Sequence, residues 1–219
     1  NTAEQHFDQG TLCARRGQWD QAIAFWTRAI EADSSFLGAY LRQGQAHLQQ
    51  QRPEPAIPLL QKALALAPRE LEAHCLLGEA FLMGGDPGAG REAFVAALHA
   101  EPESARAFYG LGRAQFLQGR LPEAMAAFRR VLEREPDHSE AHYYLGLVYL
   151  KQGQDQAAKA CFQQSIAIDP SHPQAHYTLG LVLAGEKAYD QARASFGKAL
   201  ELDPGHAKAR EKLAELERR

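Results

Sequence analysis

The stretch "YYLGLVYLKQGQDQAAKACFQQSIAIDP", residues 143–170, holds two helical patterns separated by a glycine. Counted from the preceding His142, Leu145, Gly146 and Tyr149 fall at offsets of three, four and seven, one face of a helix. A first helix is therefore expected over 139–152. Gly153 ends it, since glycine tolerates the left-handed backbone of a helix stop. A second helix is expected from about Gln156 to Ile168, with Ala158, Phe162 and Ile166 on one side. Pro170 closes the stretch, because a residue without an N–H cannot continue a helix. Gly146 and Ala158 are small enough to let the two helices approach, and Phe162 fills the space beyond.

The same arrangement recurs along the chain. Gly10, Gly44, Gly78, Gly112, Gly146 and Gly180 stand 34 residues apart. Pro68, Pro102, Pro136, Pro170 and Pro204 keep that interval, with Ser34 in the first slot. Ala22, Ala56, Ala124, Ala158 and Ala192 keep it too, Gly90 being the exception. Four residues on come Trp26, Leu60, Phe94, Phe128, Phe162 and Phe196. Chance does not produce such a register.

This pattern of aromatic, Leu-Gly, aromatic, then Ala, Phe and Pro resembles the tetratricopeptide repeat family. The resemblance covers six units: 3–36, 37–70, 71–104, 105–138, 139–172 and 173–206. It implies an all-α fold, a right-handed superhelical solenoid of antiparallel helix pairs with a concave inner face. Residues 207–219 read as a C-terminal capping helix, with Ala209, Leu213 and Leu216 as its apolar stripe. A polar outer face on a terminal helix keeps an open-ended solenoid in solution. Two departures stand out. Gln9 and Gln43 occupy the leucine slot of the first two units, so these should exchange amide protons fastest. Pro58 should remove one backbone bond near the start of its helix and bend it.

Composition narrows the function. The chain has 219 residues, 45% hydrophobic, with a formal charge of −3. This suits a folded soluble protein, favours a cytoplasmic setting and gives no positive field for nucleic acid. No apolar run approaches the roughly 18 residues of a membrane span. Cys13, Cys75 and Cys161 are scattered and read as packing residues. Asn1 rather than Met opens the chain, so an upstream segment with any targeting signal or anchor is expected to be missing.

The pairs His138/His142 and His172/His176 have the i, i+4 spacing of metal ligands, but Ser139 and Pro173 stand where a zincin needs glutamate. His142 and His176 share a slot with His6, Tyr40, His74 and Phe108, which reads as a bulky ring packed on the partner helix. His138, His172 and His206 fall at unit boundaries. "GGDPGAGR", 84–91, lacks the Lys-Ser/Thr ending of a phosphate loop and reads as a turn, with Asp86 as N-cap and Pro87 opening the next helix. With no nucleophile motif either, the expectation is a non-enzyme without metal or cofactor.

Function then lies in surface recognition. One stripe of each first helix is consumed by packing, and a second lies about one residue round. The family resemblance implies that this second stripe faces the concave groove. It comprises Tyr109, Arg113 and Phe116 in the fourth unit, Tyr143, Leu147 and Leu150 in the fifth, and Tyr177, Leu181 and Ala184 in the sixth. The earlier units supply Phe7, Thr11 and Ala14, then Leu41, Gln45 and Leu48, then Cys75, Glu79 and Leu82. Peptide-binding relatives often carry asparagine at the Leu147 slot, and a chaperone-tail clamp needs basic residues of which only Arg106 matches here. An apolar groove with an arginine rim suits instead an apolar or amphipathic-helical segment of a partner protein. A regulatory or substrate-docking region of a larger enzyme, and a self-assembling homo-oligomer, are the competing expectations.

Overall fold

A computed structural model describes residues 2–218; Asn1 and Arg219, the last residue of the expected capping segment, lie outside them. Among the described residues there are thirteen α-helices and no strand. The chain forms two compact units, Asn1–Gly119 and Arg120–Arg219.

The first unit holds α1 (Thr2–Arg15), α2 (Trp19–Ala32), α3 (Leu37–Gln49), α4 (Pro53–Leu66), α5 (Leu71–Met83), α6 (Pro87–Ala100) and α7 (Ala105–Leu117). The second holds α8 (Leu121–Arg134), α9 (Ser139–Lys151), α10 (Asp155–Ile168), α11 (Pro173–Gly185), α12 (Tyr189–Leu202) and α13 (Ala207–Glu217). Within each unit every helix packs on its neighbour in sequence, so the core is a series of small clusters. Phe94, Phe162 and Phe196 are each fully buried beside the glycine sixteen residues before them. A Cβ added to Gly146 would lie 2.6 Å from the Phe162 ring, and one on Gly180 would lie 2.6 Å from Phe196. The glycines of the 34-residue register thus make room for the following aromatic ring.

The turn inside each hairpin repeats as well. Gly17, Gly85, Gly119 and Gly153 have φ of 73°, 82°, 74° and 71°, the left-handed region expected for Gly153. Gln51 and Lys187 occupy the same slot at 59° and 64°, where a side chain is strained. Asp86 caps α6 through its carboxylate, 2.9 Å from the Ala89 amide, as the turn reading requires.

One local expectation changes. The third buried position of α10 is Ser165, not Ile166, which is half-buried. Ser165 is accommodated by Ser139, whose Oγ donates to the Ser165 carbonyl at 3.1 Å. The ring slot of His74, His142 and His176 also makes a polar tie. In each, Nε2 lies 2.9 Å from the carbonyl oxygen of Pro68, Pro136 or Pro170, six residues earlier. Tyr40 makes the same link through its hydroxyl to the Ser34 carbonyl, 3.1 Å away. Pro58 lies inside α4.

Candidate functional site

The second stripe of the first helices does not meet a common fate. In the first unit, Leu41, Leu48, Cys75 and Leu82 are buried and offer nothing to a ligand, contrary to their placement on the groove. Burial pushes the Cys75 thiol up to about 11, opposed by the Arg106 charge. The polar members of this stripe, Gln45 and Glu79, are engaged by arginines beside it. The Arg42 guanidinium donates to Gln45 at 2.8 Å and Glu72 at 3.2 Å, and Arg106 donates to Glu79 at 3.0 Å. Arg106 is exposed but paired, so the arginine rim is half of an ion pair rather than a bare charge. Tyr109 and Phe116 are half-buried, and the Arg113 guanidinium carbon sits 5.6 Å from the Tyr109 ring centroid. Leu117, next to Phe116, is 58% exposed.

In the second unit, Tyr143, Leu147 and Leu150 are half-buried together against Ala158, Phe162 and Val182. The Tyr143 ring lies between Phe162, at 5.8 Å, and His172, at 4.8 Å. Burial, reinforced by Tyr144, pushes its hydroxyl up to about 12. Tyr177 repeats this, 5.8 Å from Phe196 and 4.6 Å from His206. These tyrosines therefore serve the joint with the following helix as well as the surface. Leu181 stands with Ala184, Tyr189, Phe196, Lys212 and Leu216 around a cavity of about 210 Å³.

The first unit has a cavity in the same register, about 250 Å³ in size, with Thr11, Ala14, Trp19, Trp26 and Arg42 in its lining. Trp19 was not legible as a candidate in the sequence. Its signal was the slot it shares with Tyr189, five intervals of 34 residues later. At both places the stripe of one first helix, the start of its partner helix and the next first helix meet around a hollow with a charged edge, mostly apolar in the first unit and mixed in the second. Such a hollow holds a side chain by shape and desolvation and has no chemistry of its own.

Among the described residues, no three His, Cys, Asp or Glu side chains gather as a metal site. No helix among them is long and apolar enough to cross a membrane. The pair His138/His142 is divided between two backbone partners. Nδ1 of His138 accepts from the Ala141 amide at 3.2 Å, while His142 reaches Pro136.

The tetratricopeptide repeat profile matches residues 7–70, 41–94 and 75–133, and related profiles of the same repeat match 115–181 and 173–206. A crystal structure of MamA is similar with 25% identity and a TM-score of 0.68, over 77% of this chain and 92% of that one. The pilF protein of Pseudomonas aeruginosa has 24% identity and a TM-score of 0.74, over 84% and 89%. YrrB, described as a TPR protein with an unusual peptide-binding site, has 24% identity and a TM-score of 0.62, over 85% and 96%. No match was found among curated proteins. With repeat matches from residue 7 to residue 206 and thirteen helices in the matching order, the chain belongs to the tetratricopeptide repeat family of protein–protein interaction scaffolds.

Proposed function

We propose that this scaffold binds an apolar or amphipathic-helical segment of a partner protein along the second stripe of its first helices. The observation that carries the reading is the state of Tyr143, Leu147, Leu150, Tyr177 and Leu181. All five are half-buried, so each keeps apolar surface that a partner would remove from water. Covering such surface is favourable by about 25 cal/mol per Å². Tyrosine adds a rigid contact with little entropy to lose. Tyr109, Arg113 and Phe116 form a corresponding face on the first unit, with Arg106 and Glu79 as its paired edge. The partner's side chains at i, i+3, i+4 and i+7 would follow the leucines, as amphipathic ligands do in other helical grooves.

The test pairs Leu147→Glu with Leu181→Glu. The partner co-purified with the wild-type protein should be lost from the double variant, by about tenfold or more in affinity. Circular dichroism must show an unchanged helical fold. A folded double variant that retains its partner contradicts the reading.

A further inference from the structure

His138, His172 and His206 occur at one slot, 34 residues apart, and each opens a helix of the second unit. Nδ1 of each lies 3.2 Å from the backbone amide three residues on, Ala141, Ala175 and Ala209 respectively. A backbone amide can only donate, so Nδ1 must present its lone pair and the ring must be neutral with its proton on Nε2. Among the described residues, the first unit has no such cap. Phe36, Glu70 and Ser104 hold the slot there, and Ser104 caps α7 with its hydroxyl, 3.3 Å from Ala107.

We propose that these three histidines are an acid-sensitive device in the second unit. A proton taken up at Nδ1 turns each acceptor into a donor and releases the starts of α9, α11 and α13. Histidine is the side chain that ordinarily changes charge in the mildly acidic range. The new positive charge also sits at the positive end of a helix dipole, which opposes the capped geometry. The Ala141 and Ala209 amides retain a second acceptor at 3.1 Å, the carbonyl of the capping residue itself, so release loosens the first turn without melting the helix.

The three caps have different surroundings. Glu140 Oε2 lies 3.4 Å from His138 Nδ1, and Glu135, Asp137 and Asp169 line the same hollow. A protonated His138 therefore has a carboxylate to turn to. His172 faces Asp169, a carboxylate that His176 also faces, and has the Tyr143 ring against it. His206 has the Tyr177 ring against it, Asp203 before it and Arg210 bonded to the Pro204 carbonyl, while Lys208 holds the Glu140 slot. His142 and His176 behave differently: each faces a carbonyl through Nε2, a contact that a proton on Nδ1 leaves in place.

The experiment is residue-resolved amide exchange by NMR on the whole chain at pH 7.5 and 5.0, with each rate divided by its intrinsic value at that pH. Protection of Ala141, Ala175 and Ala209 should fall by about fivefold in acid, the equivalent of one lost cap, while Ala107 stays constant. Asparagine caps without titrating, so H138N/H172N/H206N should abolish the fall, whereas H142Q/H176Q should retain it. Unchanged protection in the wild-type protein, or an equal fall in the triple asparagine variant, would overturn the proposal.

Discussion

Gln51 and Lys187 sit where the other units place glycine, and their left-handed backbone carries a Cβ against the following carbonyl. Gln51→Gly and Lys187→Gly should each raise stability by about 0.5–1 kcal/mol, the relieved strain exceeding the entropy glycine adds to the unfolded chain. Chemical denaturation checks this; a loss of stability in both would show that the turn is held by the side chains. His47 poses another residue-scale question. It is 7% exposed and its Nδ1 has no partner. Burial, helped by the Arg52 charge, lowers its pKa below the ordinary histidine value. The unfolded chain then takes the proton more readily than the folded one. Its share of stability is complete above the ordinary histidine range and is lost as pH falls through that range towards the lower folded value. Phe81 holds the equivalent slot one unit later, so His47→Phe should flatten the stability profile below pH 7 and add about 1 kcal/mol in acid. A profile as steep as that of the wild-type protein would contradict this.

Helices show what the sequence discloses and what it hides. The period of small and aromatic residues located every hairpin, because Gly146 against Phe162 is a steric requirement that two residues express alone. Burial of Leu41, Leu48, Cys75 and Leu82 was not legible. Leu41 and Cys75 hold the repeat slot of Tyr143, Leu48 and Leu82 that of Leu150, and only the neighbouring helices decide how far each is covered. The histidine caps were hidden for a related reason: a ring at a boundary slot looks apolar until the amide beneath it is placed. Gln43 illustrates the cost of a polar residue inside an element. Its Nε2 donates to Thr27 at 3.0 Å, but its buried Oε1 has no partner. Gln43→Leu restores the residue usual in the later units and should stabilise α3 by about 1 kcal/mol. Gln9 in α1 is exposed, and α1 packs mainly on α2. The α1–α2 hairpin should therefore exchange amide protons faster than the other helix pairs of the first unit. Equal protection across α1–α6 would contradict that.

For the molecule as a whole, a formal charge of −3 and ion pairs such as Arg106–Glu79 leave little net field to attract a charged ligand. Partner binding through the tyrosine and leucine faces should change by less than about threefold between 50 and 500 mM salt. A steep loss of affinity with salt would point to a charged partner instead. The most direct test of the interaction face is hydroxyl-radical footprinting of the free protein and its partner complex. Tyr143, Leu147, Leu150, Tyr177 and Leu181 should lose reactivity together on binding, while the exposed Leu12 of α1 stays unchanged. Protection elsewhere, with those five side chains as reactive in the complex as in the free protein, would contradict the account.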